Sequence, residues 1–139
     1  MKILFAADGS PCTKKALAFL VTHEALLARN ELLVLHVQPA LPPNVSGYVG
    51  SHTVAAYQDD EASKVLAPID EFLRRHAVAF STRWVVGSPG REIVQTAARE
   101  GVHMIVMGTH GYGVVGRAVL GSVAQSVVAS SEVPVLLIK

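Results

Sequence analysis

The sequence predicts a doubly wound α/β fold: a five-stranded parallel sheet in the order 3-2-1-4-5, with helices on both faces. Three observations carry this prediction. Short runs rich in Val, Ile and Leu alternate with longer segments of helical period, the pattern of strands joined by helical crossovers. Four of the five runs are apolar at nearly every position, as strands are when both sheet faces are covered. Half of the 139 residues are hydrophobic and 17% are charged, which suits one well-buried core, so residues 1–139 are read as a single domain.

The elements follow in order. KILFAA (2–7) is the first strand, and the first helix starts at Ser10 as N-cap with Pro11 at its first position, burying Leu17, Leu20, Val21 and Leu27. ELLVLHV (31–37) is the second strand. Residues 38–56 are rich in Pro, Gly and Ser without period and read as a long loop of the functional or mobile kind. The second helix runs from Tyr57 to His76, with Val65, Leu66, Ile69, Phe72 and Leu73 at helical spacing, and Pro68 predicts a kink or break inside it. AFSTRWVV (79–86) alternates, with Ser81 and Arg83 on one face, as a partly exposed edge strand does. The third helix opens at Ser88 and Pro89, buries Ile93, Val94 and Ala97, and stops at Gly101. HMIVMG (103–108) is the fourth strand, a fourth helix begins near Ser122 and ends before Pro134, and VPVLLIK (133–139) is the last strand.

Right-handed crossovers place consecutive parallel strands side by side until the winding reverses, and ligands bind outside the carboxyl ends of the strands at that reversal. Here the reversal falls between the first and fourth strands, whose ends carry AADGS and MGTHG. Three phosphate-binding patterns overlie the stretch that follows. Gly111, Gly113 and Gly116 spell the dinucleotide fingerprint, but that motif needs the first βα turn and an acidic residue ~20 residues further on, where this chain is in its last strand. Gly116, Gly121 and Ser122 outline a P-loop that lacks its Lys, and with it the charge central to phosphoryl transfer. The third pattern is Gly108, Gly111, nine residues, then Gly121 and Ser122. In it Gly108 lets a nucleotide approach the strand end, Gly111 and Gly121 offer unshielded backbone N–H groups, and Ser122 opens a helix whose N-terminus attracts anions.

With these residues in view, the chain resembles the universal stress protein family, in its ATP-binding branch. The likeness rests on ILFAADGS, LLVLHV, GSPGREIVQTA, MIVMGTHG with the glycine loop, and GSVAQSVV followed by VPVLLIK, and so covers essentially the whole chain. It implies a Rossmann-like nucleotide site. Ala6, Ala7 and Asp8 would contact adenine and ribose, and Val37 would read the adenine edge through its backbone. Met107 and Gly108 would lie beside the ribose, and Gly111, Gly121, Ser122 and Val123 would cradle the triphosphate of ATP, with Mg2+ on the phosphates. The family often has Pro and Thr where this chain has Ala6 and Ala7, and loss of a Thr hydroxyl removes a hydrogen bond of ~1 kcal/mol. The resemblance also implies a homodimer formed through the last strand, 133–139.

Each residue has a plainer reading as well. Asp8 before Gly9 can simply start the turn into the first helix, although an acid at the end of a central strand is costly unless paired or facing a ligand. Ser122 with Gln125 three residues later spells a capping box. His36 and His110 could be imagined as metal ligands but have no regular ligand spacing, Cys12 stands without a partner, and Arg117 reads as exposed or as a phosphate contact. A net charge of +1 argues for neither nucleic acid nor an anionic membrane as partner. The single cysteine, the absence of a signal-peptide pattern and the absence of an apolar run near ~20 residues predict a cytoplasmic protein. The expected function is a regulatory or stress-response ATP-binding protein. Two alternatives use the same site: a slow ATP hydrolase or phosphotransferase, or a protein-interaction module in which the nucleotide is structural.

Overall fold

The computed structural model describes residues 1–111 and 119–139, so Gly113, Gly116 and Arg117 lie outside the described residues. Five parallel strands form one sheet: β1 (Lys2–Ala7), β2 (Glu31–Gln38), β3 (Phe80–Val86), β4 (Met104–Gly108) and β5 (Val135–Ile138), in the order β3-β2-β1-β4-β5. This is the predicted winding, with the reversal between β1 and β4. β1 is central because it is apolar at every position after Lys2, and Ile3, Leu4 and Phe5 are fully buried.

The period of two along each strand sends alternate side chains to opposite faces. Ile3, Phe5, Leu32 and Val34 meet α1 (Pro11–Thr22) and α4 (Ser51–Arg75) through Leu17, Leu20, Leu66 and Leu73. Leu4, Leu33, Leu35 and Ile105 meet α5 (Pro89–Arg99) and α6 (Ser122–Ser130) through Ile93, Ala97, Ala124 and Val127. β3 is an edge strand as expected, with Ser81 and Arg83 exposed.

Three expectations are corrected. The first helix ends at Thr22, because His23 takes a non-helical conformation with φ −110° and ψ 66°, and Leu27 belongs to a separate short helix, α2 (Glu24–Leu27). Val21 is half-buried, as is Val94 of α5. Residues 38–56 are largely helical: α3 (Pro43–Val49) is followed, across Gly50 at φ 79°, by α4, which starts six residues before Tyr57. Finally, α4 runs without a break through Pro68. Pro68 and Lys64 are both exposed, so the Lys64 carbonyl that loses its helical partner can be hydrated. Among the described residues no helix is long and apolar enough to cross a membrane.

At the amino ends of the strands, Glu100 ties three elements together. Its carboxylate accepts from Lys2 Nζ on β1 at 3.1 Å and from the Arg83 guanidinium on β3. The hydrogen bond from Lys2, then that from Arg83, holds the Glu100 carboxyl below the usual carboxylate range. A depressed folded-state pKa contributes stability that is present above the unfolded value of about 4.3 and lost as pH falls through the folded one. Glu100→Gln is therefore expected to flatten the acid side of a melting-temperature profile below about pH 5, with little change in its shape near neutrality. Thermal melts of both proteins across that window measure it, and an unchanged acid slope would show that the pairs carry no net stability.

Candidate functional site

A cavity of about 300 Å³ opens at the carboxyl ends of β1 and β4. Separate stretches of chain build it. Ala6, Ala7 and Asp8 come from the end of β1, and Val37 from β2. Met107 and Gly108 end β4, Gly111 follows in the loop, and Gly121, Ser122 and Val123 begin α6. All ten positions singled out from the sequence thus line one cavity. Leu35, Pro39, Ile93 and Ala124 extend its apolar wall, and Thr13, His36, Thr109 and His110 add polar groups that the motif reading had not placed there as a set.

The wall at Asp8 is held by a local turn. Gly9 takes φ 79°, which an L side chain rarely adopts, and this folds Ser10 back so that its N–H donates to Asp8 Oδ1 at 2.8 Å. The Thr13 hydroxyl donates to the same oxygen at 2.6 Å and accepts from the Asp8 N–H at 3.2 Å. Ser10 Oγ in turn accepts from the Thr13 N–H at 3.3 Å as the N-cap of α1. Asp8 Oδ1 thus organises the turn, as its plainer reading has it, and Oδ2 is directed at Gly111, where even a methyl group would collide with it. The spacing Asp8, Ser10, Thr13 was the available signal, an Asx turn running into an N-cap.

His36 is buried, with its Nδ1 2.8 Å from the Ala7 carbonyl and its Nε2 3.0 Å from Gln38 Oε1. Both ring nitrogens are thereby engaged, Nδ1 with the end of β1 and Nε2 within β2. The imagined pairing of His36 with His110 around a metal finds no support in this arrangement, since a ligating ring needs one nitrogen lone pair free.

On the opposite wall, the first N–H groups of a helix have no intrahelical partner. In α6 they belong to Ser122, Val123 and Ala124, all at the cavity, and their partial positive charge suits an anion. The capping box expected of Ser122 and Gln125 is not formed. Gly121 is the N-cap, its own N–H donates to the Thr109 carbonyl at 2.8 Å, and the Gln125 amide donates to the Leu120 carbonyl at 3.0 Å. Ser122 is consequently the first helical residue, exposed beside the cavity. Gly121 is tight for a different reason than Gly111: a Cβ there would lie 3.2 Å from the Thr109 carbonyl oxygen and 3.3 Å from His110 Cα.

Gly108 has a structural reason as well. A Cβ on it would lie 2.6 Å from Cys12 Cβ and 3.0 Å from the Cys12 carbonyl carbon. The absent side chain makes room for the first turn of α1, and Gly108 also lines the cavity.

Comparison with known proteins agrees with this architecture. The sequence profile of the universal stress protein family matches residues 1–139. A universal stress protein of Thermus aquaticus is 36% identical over 143 residues, covering 99% of this chain and 97% of that one. The solved structure of MJ0577, a universal stress protein of Methanocaldococcus jannaschii, superposes with a TM-score of 0.85 at 32% identity, covering 99% of this chain and 94% of that one. A universal stress protein of Archaeoglobus fulgidus, solved in complex with dAMP, gives a TM-score of 0.72 at 25% identity, with 100% and 98% covered. Matched from end to end in sequence and in fold, the chain belongs to the universal stress protein family.

Proposed function

We propose that this protein binds ATP with Mg2+ in the cavity between β1 and β4, and that occupancy of the site serves a regulatory, stress-response role. The observation that carries the reading is the convergence of Asp8, Gly111 and the start of α6 on one cavity with an apolar wall. Val37, Met107 and Ile93 offer apolar surface to a base, and the Asp8 carboxylate can accept from ribose hydroxyls. The backbone N–H groups around Gly111, Ser122 and Val123 suit phosphate oxygens. At about 300 Å³ the cavity is at the small end for ligand sites, enough for the nucleoside, with the phosphates at Gly111 and the start of α6. Bound Mg2+ would neutralise phosphate charge. The dAMP complex of the Archaeoglobus fulgidus protein supports an adenine nucleotide as the ligand.

Occupancy is favoured over turnover as the signal. Asp8 Oδ1 is already committed to Ser10 and Thr13, and among the described residues no Lys or Arg lines the cavity to stabilise a transferring phosphoryl group. β5 presents the apolar run Val135–Ile138 at a sheet edge, and pairing with its copy in a second subunit would cover that edge, giving the proposed homodimer. Mass spectrometry of small molecules released from the denatured protein, with titration calorimetry of ATP and Mg2+, tests the nucleotide reading. Release or binding of an adenine nucleotide is expected; neither release nor heat would refute it.

A further inference from the structure

A larger cavity, of about 640 Å³, lies on the other side of Asp8, between α1 and α4. Neighbouring helices on one sheet face ordinarily interlock their side chains. Here both helices pack on the sheet and hardly on each other, leaving a groove between them. Its floor is apolar: Leu17 and Ile69 are buried, and Val65 and Phe72 are half-buried. It is lined by three cations, Lys14, Lys64 and Arg75, and two carboxylates, Asp8 and Glu61. Lys64 is paired with Asp60 and Glu61, and Arg75 with Glu71, but Lys14 has no ion-pair partner among the described residues.

An apolar trough lined by one more cation than carboxylates, with Lys14 outside any ion pair among the described residues, suits a single alkyl chain ending in an anion. From Glu61 to Arg75 α4 rises about 21 Å, long enough for an extended chain of about twelve carbons. We propose that the groove between α1 and α4 binds a free straight-chain fatty carboxylate, its alkyl chain along Leu17, Val65, Ile69 and Phe72 and its carboxylate at Lys14. The groove shares Asp8 and Thr13 with the cavity at the ends of β1 and β4, while its apolar floor, Leu17, Val65, Ile69 and Phe72, lies outside that cavity.

Titration calorimetry of the full chain with dodecanoate, kept below its micellar concentration, tests this. One dodecanoate per chain is expected. Decanoate should bind about fifteenfold more weakly, since it lacks two methylenes and each buried methylene contributes about a fourfold factor. Lys14→Glu, on the exposed face of α1, should weaken dodecanoate about fivefold or more. Ala18→Phe fills the groove from another exposed position and should remove binding, with circular dichroism verifying the helices. Absence of dodecanoate binding, equal binding of dodecyltrimethylammonium, or unchanged binding in Ala18→Phe would each overturn the proposal. So would co-sedimentation with phosphatidylglycerol vesicles without dodecanoate binding, which would assign the groove to a lipid surface.

Discussion

Gly108→Ala is expected to lower the free energy of unfolding by about 2 kcal/mol, read as a shifted midpoint in urea with an unchanged slope. The cost arises at a backbone contact. The added Cβ would meet Cys12 Cβ at 2.6 Å, its carbonyl carbon at 3.0 Å and its carbonyl oxygen at 3.2 Å. Rotation of the Cys12 side chain relieves none of these, so the first turn of α1 must move away from β4. That turn includes Thr13 and follows directly on the Asp8 loop, and nucleotide affinity is expected to fall along with stability. Cys12→Gly added to Gly108→Ala removes the first contact and leaves the other two, so it should restore part of the loss. Gly47→Ala supplies the control: in α3, with nothing within 4 Å of its Cβ position, the same substitution should be neutral or stabilising by about 0.5 kcal/mol. An unchanged midpoint for Gly108→Ala would mean that α1 slides freely over β4.

The strands were legible because burial on both faces leaves an uninterrupted apolar run, and β1, β2 and β4 are buried in that way. Residues 43–56 were not. Among their described side chains almost all face solvent, so α3 and the first turns of α4 carry no apolar period that a sequence could display. Pro42, Pro43, Gly47 and Gly50 then read as loop residues, although only Gly50, at φ 79°, breaks the helix. At the site, spacing located the glycines but could not give their reasons. Gly108 is required by Cys12 and Gly111 by Asp8, contacts between segments far apart in the sequence that only the winding of the sheet brings together. Ser122 and Gln125 satisfied the letters of a capping box, but the Thr109 carbonyl already holds the Gly121 N–H, and the helix starts one residue earlier in consequence. Local patterns were reliable where the partner was also local, as with Ser10 and Thr13.

The coupling between Asp8 and Gly111 leads to the second large effect, expected in ATP affinity. Gly111→Ala places a methyl group against Asp8 Oδ2, which lies at the end of a side chain and could in principle turn aside. It is not free to do so, because Oδ1 of the same carboxylate accepts from the Ser10 N–H at 2.8 Å and the Thr13 hydroxyl at 2.6 Å. Turning Oδ2 away breaks one or both of these bonds, at about 1 kcal/mol each, and withdraws the carboxylate from the proposed ribose position. Gly111→Ala should therefore weaken ATP binding by about tenfold or more, and Asp8→Ala by a similar factor. The decisive measurement is the double substitution. With the carboxylate gone, the methyl group at residue 111 has nothing to displace, so Gly111→Ala should add little in the Asp8→Ala background, a clear departure from additivity. Gly113→Ala, outside the described residues, is expected to be milder than Gly111→Ala or Gly121→Ala. Additive losses would show that Gly111 acts on the phosphates independently of Asp8, and a larger loss from Gly113 than from Gly111 would show that the wrong glycines have been assigned to the nucleotide.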